Sequence, residues 1–207
     1  MTFDGFPVAA LDFYDDLEVD NTKSFWEAHK QVWKESVQAP MVGLTDELAA
    51  EFGAAKVFRP YRDVRFARDK TPYKNHQGAF VAAGPATGWY VEISSPGLMV
   101  GVGFYEATSE RLARLRSAIA DDRTGPELVK IIKALQRKGF ELGGEKVKTA
   151  PRGYDVDHPR IDLLRHKQIV LRKSYGFDPV IHTADVLSRI RKDWRAGRPL
   201  IDWLAAR

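Results

Sequence analysis

At 207 residues, 44% of them hydrophobic and 29% charged, the chain has a globular composition, and its length lets it bury about 70% of the surface its unfolded form exposes. The lack of cysteine excludes disulfides, thiolate nucleophiles and Cys-ligated zinc, which suits a reducing, cytoplasmic setting. The acidic opening MTFDGFPVAALDFYDD excludes a signal or transit peptide, and no stretch approaches the ~18 apolar residues of a membrane helix, so no membrane partner is expected.

Helical periodicity dominates the first 53 residues. A short helix over about 8–18 carries Ala10, Phe13 and Leu17 on one face. In 22–37 the residues Phe25, Trp26, His29, Val32, Trp33 and Val37 form an apolar stripe, with Asn21 or Thr22 as N-cap. His29 lies on that stripe and reads as a satisfied core histidine. Pro40 opens a further helix lined by Met41, Leu44 and Leu48, which Gly53 ends.

The period then changes. Segments 79–83, 89–93 and 98–105 are short, aromatic and β-branched, as strands are. Between the last two stands Ser94-Ser95-Pro96-Gly97, where proline presets φ and glycine accepts a positive φ. This predicts an antiparallel hairpin over about 89–105. Helices return over 109–121, where Leu112, Leu115 and Ile119 share a face. The next one is capped by Thr124 and carries Leu128, Ile131, Ile132 and Leu135. Residues 166–173 read as another strand. A final helix from Thr183 through Trp194 is stopped by Gly197 and Pro199, with a short closing turn at 200–204. Helices at both ends and in the centre, around an antiparallel sheet, predict one α+β domain over 1–207.

Catalytic signatures are sparse. Gly139 to Lys146 resembles a phosphate loop, but Glu145 occupies the place of the lysine. Gly101-Val102-Gly103 lies inside a strand and reads as close packing, not as a dinucleotide fingerprint. There is no HExxH and no GxSxG elbow.

Charge is segregated. Residues 1–51 carry a balance of −8, so the remainder carries +12, much of it in 56–76 and 146–173. Such a chain can steer an anionic partner, or simply pack acidic helices beside a basic part. In KVFRPYRDVRFARDKTPYKNH, Arg59, Arg62, Arg65 and Arg68 recur every three residues among Tyr61, Phe66 and Tyr73, and Pro60 and Pro72 preclude one long helix. Arginine grips carboxylate or phosphate through two parallel hydrogen bonds; equally, an Arg–Asp lattice through Asp63 and Asp69 can knit layers of a fold together. In KVKTAPRGYDVDHPRIDLLRHK, Pro151, Gly153 and Pro159 make an irregular loop. There Asp157 is either a helix N-cap or part of a polar cluster with Asp155 and His158. With no second histidine close by, no metal is assigned.

The strings FRPYRDVRF, DKTPYKNHQGA and KTAPRGYDVDHPRIDLLRHK, together with the opening GFPVAALDFYDDLEVDNTKSFWEAHK and the closing PLIDWLAAR, resemble an uncharacterised conserved family of bacterial and fungal proteins, a domain of unknown function. The resemblance covers nearly the whole chain. It departs at Ala67 and Asn75, where relatives more often carry serine and threonine. It implies an α+β domain whose hallmark segments are 59–78 and 148–167, and it supplies no activity.

The expected site is therefore a pocket for an anionic small molecule, phosphorylated or a nucleotide, lined by Arg62, Arg65, Lys70, Tyr73, Lys74, Lys148, Arg152 and Tyr154. Asp63, His76, Asp157 and His158 are the candidate general acid/base groups. A nucleic-acid-binding module is the alternative, since aromatic residues interleaved with cations can stack on bases. A structural domain with an Arg–Asp network is the third reading. Neither a cofactor nor an oligomeric state is legible.

Overall fold

The computed structural model describes residues 3–207. Its six-stranded sheet has the order β1-β2-β3-β4-β6-β5, formed by β1 (Ala55–Val57), β2 (His76–Gly84), β3 (Thr87–Ser94), β4 (Gly97–Phe104), β5 (Glu141–Gly143) and β6 (Ile169–Gly176). β1 pairs antiparallel with β2, Lys56 opposite Phe80, and β5 pairs antiparallel with β6, Leu142 opposite Leu171. Gly97 lies against Gly176 and Gly103 against Ile169, so β6 also runs antiparallel to β4. The helices are α1 (Ala9–Val19), α2 (Lys23–Val32), α3 (Ala39–Phe52), α4 (Ser109–Ala120), α5 (Thr124–Gln136), the single turn α6 (Ile161–Leu164) and α7 (Asp185–Ala205). The fold is α+β and antiparallel, as the sequence predicts.

The chain divides into two compact units. Among the described residues, the first comprises 3–81, 90–100 and 174–192. Its core is built from Phe6, which precedes α1, from Tyr14, Leu17, Trp26, Val37, Leu44 and Leu48 of the helical run that follows, and from Val91, Ile93 and Leu98 of the sheet. The second comprises residues 82–89, 101–173 and 193–207, and buries Trp89, Val102, Phe104, Leu115, Leu128, Leu171, Trp194 and Trp203.

Several elements depart from expectation, each for a local reason. Pro40 does stand in the first turn of α3, but no loop separates α2 from α3. Trp33–Gln38 forms a π turn, in which the Ala39 N–H donates to the Lys34 carbonyl five residues back. A proline ring collides with the carbonyl four residues before it in a regular helix, and a widened turn just upstream makes room. α7 continues through Gly197 and Pro199 to Ala205 instead of stopping. Gly197 is there for proximity, since a Cβ would come within 2.8 Å of a Val102 methyl. Thr124 does not cap α5. The Asp121 carboxylate accepts from the Arg123 and Thr124 N–H groups at 3.0 and 2.9 Å, while the Thr124 hydroxyl donates to the Ala118 carbonyl. The last strand begins at Ile169, three residues later than expected, because the His166 ring closes a local turn onto the Gln168 carbonyl at 2.9 Å. His29 is satisfied, its Nδ1 2.9 Å from the Phe25 carbonyl and its ring stacked on Phe25, but it is half-buried and not a core residue as expected.

Candidate functional site

The first hallmark segment forms a loop with a closed neck. Tyr61 and Tyr73 make an isolated antiparallel bridge, flanked by backbone bonds from Arg62 N–H to the Pro72 carbonyl (2.9 Å) and from Lys74 N–H to the Pro60 carbonyl (2.8 Å). Two N-terminal residues hold that neck, Asn21 between α1 and α2 and Trp26 on α2. The Asn21 amide donates to the Tyr73 carbonyl (3.0 Å) and accepts from the Tyr73 N–H (3.1 Å), a two-point clamp on one peptide position. Trp26 stacks on the Tyr73 ring at 4.3 Å with a 10° interplanar angle. Tyr73 is therefore buried as an anchor, while its backbone fixes where the loop leaves the fold.

Within the loop the acidic residues fasten the basic ones. Arg62 donates to Asp69 (2.5 Å) and to the Thr71 hydroxyl, and Arg65 makes a two-pronged contact with Asp63 at 2.9 and 2.6 Å. The Arg65 side chain and backbone hold the Asp63 pKa below its ordinary value, so this carboxylate stays ionised and is a weak base. Lys70 donates to the Val64 carbonyl. Arg59 and Arg68 are exposed, and Phe66 is 97% exposed.

A second group sits where the loop meets β1 and β2. The Lys56 and Lys74 ammoniums lie 5.7 and 5.3 Å from the centre of the Phe58 ring. Burial, and then the charges of Arg59 and Lys56, push the Lys74 pKa down. None of these three cations is in an ion pair among the described residues. Beside them, His76 Nε2 is 3.7 Å from Glu92, which also accepts from the Tyr90 hydroxyl at 2.5 Å.

The second hallmark segment falls in the other compact unit. Arg152 and Asp157 are exposed, and Tyr154 and His158 half-buried. Asp157 is not a helix N-cap: its own N–H donates to the Asp155 carboxylate (2.9 Å), and α6 starts four residues later, after Arg160. His158 Nδ1 accepts from the Arg160 N–H at 3.0 Å, which places the proton of the neutral ring on Nε2. The structure thus groups Asp63, Arg62, Arg65, Lys70, Tyr73, Lys74 and His76 in one unit, and Lys148, Arg152, Tyr154, Asp157 and His158 in the other. Among the described residues, no group of three or more His, Asp or Glu side chains is placed to hold a metal ion.

Comparison with family models matches residues 9–203 to a conserved hypothetical protein family, DUF2461. The chain belongs to this family. The match takes in both hallmark segments, every strand of the sheet and every helix but the last two residues of α7, so the DUF2461 domain is the α+β fold described above. No curated protein matches the chain. Among the described residues no helix is long and apolar enough to cross a membrane.

Two arginines of this DUF2461 chain escape a reading by composition. Arg160 is a structural tie: its guanidinium donates to the Ile119 and Ala120 carbonyls at 2.6 Å, meeting the unpaired carbonyls at the end of α4. Arg111 is buried, and it sits four and eight residues before Leu115 and Ile119, on the buried stripe of α4. The stripe was expected to start at Leu112, which is only half-buried. A cation in phase with an apolar stripe was the available signal.

Proposed function

We propose that this protein binds an anionic small molecule, phosphorylated or a nucleotide, at the surface formed by Lys56, Phe58, Arg59 and Lys74. The observation that carries this reading is the convergence of three cations with no carboxylate partner among the described residues. Like charges repel, and Lys74 is held partly out of water as well, so a bound phosphate relieves both costs. Phe58 offers an apolar surface between the ammoniums. His76, with Glu92 3.7 Å from its Nε2, is the neighbouring group suited to proton transfer with a bound ligand.

A second reading is favoured by the loop itself. Phe66 projects into solvent in a run containing Arg65, Arg68 and Lys70, the combination that stacks on unpaired bases and follows a phosphate backbone. Titration calorimetry separates the two. With adenosine triphosphate as probe, the wild type should bind, and Lys74→Gln should weaken binding at least about tenfold, the loss of one charge-assisted contact. With a single-stranded oligonucleotide, binding governed by the loop should fall steeply with salt and depend on Phe66. Nucleotide binding that is absent, or indifferent to Lys74→Gln, would remove the first reading.

A further inference from the structure

The second compact unit contains a cavity that the hallmark segments do not line. It has a volume of about 480 Å³, within the range of small-molecule sites, and is bounded by the Pro85–Ala86 turn, residues Glu106–Thr108 before α4, and Arg111, Arg114 and Arg207. Arg111 forms part of its wall although the residue is only 7% exposed. Its position is fixed: Nη2 donates to the Thr87 hydroxyl at 2.6 Å, that hydroxyl donates to the Pro85 carbonyl at 3.1 Å, and the guanidinium lies 5.8 Å from the centre of the Phe104 ring.

What Arg111 lacks is a counter-charge. It is in no ion pair among the described residues, and its buried Nη1 has no hydrogen-bond partner. Burial, then the nearby Arg114, lower its pKa, and no carboxylate counters either effect. The other arginines are engaged: Arg114 pairs with Glu110 at 2.5 Å, and Arg207 lies over Trp203 and donates to its carbonyl. Glu106, exposed, is the one acidic side chain of the lining among the described residues. The 12-residue helix α4 also opens here, capped by Thr108, and its N-terminal end adds positive potential.

We propose that this cavity is an oxyanion site, in which the carboxylate or phosphate group of a small ligand is held against Arg111 at the start of α4. A guanidinium in a cavity wall with no counter-charge is costly when alone and becomes favourable when an oxyanion supplies that charge. The cavity adjoins an open cleft of about 710 Å³ that shares Arg114 and Arg207 and continues past Ser117, Arg123 and Glu127, so the rest of the ligand has room to extend along α4.

Thermal melts of the full chain test this, using inorganic phosphate and succinate as separate probes against sodium chloride of matched ionic strength. At least one probe should raise the wild-type Tm in a saturable way. The probe that does so identifies phosphate or carboxylate as the preferred group. Arg111→Met should abolish that rise. As a check against misfolding of a buried-site variant, Ala107→Glu, which sets a carboxylate on the cavity wall, should abolish it independently. Lys74→Gln keeps the test apart from the function proposed above. A rise lost in Ala107→Glu but kept in Lys74→Gln supports the Arg111 site by itself. A rise kept when Ala107→Glu is added to Lys74→Gln, or absent for both probes in the wild type, overturns it.

Discussion

Asp69 organises a loop that has no regular structure of its own. Its carboxylate accepts from the Thr71 N–H and hydroxyl, both at 2.9 Å, and from Arg62. These contacts, the Thr71 N–H first and Arg62 after it, draw its pKa down from 3.8 to about 2. A folded-state pKa below the unfolded one means that the stabilisation is complete above pH ~4 and is lost as pH falls through about 2. An NMR titration of the carboxyl groups should therefore find the Asp69 midpoint near 2, with the Thr71 amide shifting in step. Arg62→Gln should raise that midpoint only part of the way, because the largest contribution comes from the Thr71 backbone. A midpoint at the ordinary carboxylate value would mean that the loop is not fastened this way. The sequence left the arginines of this loop divided between gripping a ligand and forming a lattice with aspartate. Arg62 and Arg65 have their partners inside the loop itself, which spacing along the chain could not decide.

Elements specified by local chemistry were legible, and elements specified by distant neighbours were not. The β3–β4 hairpin followed from Pro96 and Gly97, and α1, α4 and α5 from their apolar periods. The three-residue strands β1 and β5 carry too little pattern to be seen; they exist because β2 and β6 offer them backbone partners. α7 runs past two helix-breaking residues because packing overrides propensity, with Gly197 admitting the Val102 methyls. Gly103 is the strand counterpart. Its φ is +142°, and a Cβ there would overlap the Ile169 carbonyl oxygen across the β4–β6 pairing. Gly103→Ala should thus cost at least about 2–3 kcal/mol in chemical denaturation, through strain and a lost strand contact together. Gly84→Ala in β2 is the control, since nothing lies within 4 Å of the added methyl, and its stability should change by no more than about 0.5 kcal/mol. Equal effects at the two positions would place the cost in strand glycine chemistry and not in the β4–β6 approach.

Across the whole molecule, composition located the polar segments but could not say which of their side chains hold the fold and which face solvent. Tyr73, a pocket residue by its sequence setting, is instead buried against Trp26, while Arg160, inconspicuous by its sequence setting, holds the end of α4. Burial depends on contacts between residues far apart in sequence, and an amphipathic side chain such as tyrosine suits either environment. The division of labour can be tested with two substitutions. Trp26 is 1% exposed, stacks on Tyr73 and meets Trp33 and Phe13, so Trp26→Ala opens a cavity in the core and also frees the neck of the 61–73 loop. Its cost should be about 3–5 kcal/mol, a large fraction of a domain's usual total of ~5–15 kcal/mol. Arg152 is exposed in a loop interrupted by proline and glycine, and surface changes of that kind stay within about 0.5 kcal/mol. Differential scanning calorimetry of the ligand-free protein should show a strongly lowered Tm for Trp26→Ala and an almost unchanged one for Arg152→Ala. A comparable loss in Arg152→Ala would make that arginine a structural tie like Arg160, and the 148–167 segment would then belong to the scaffold.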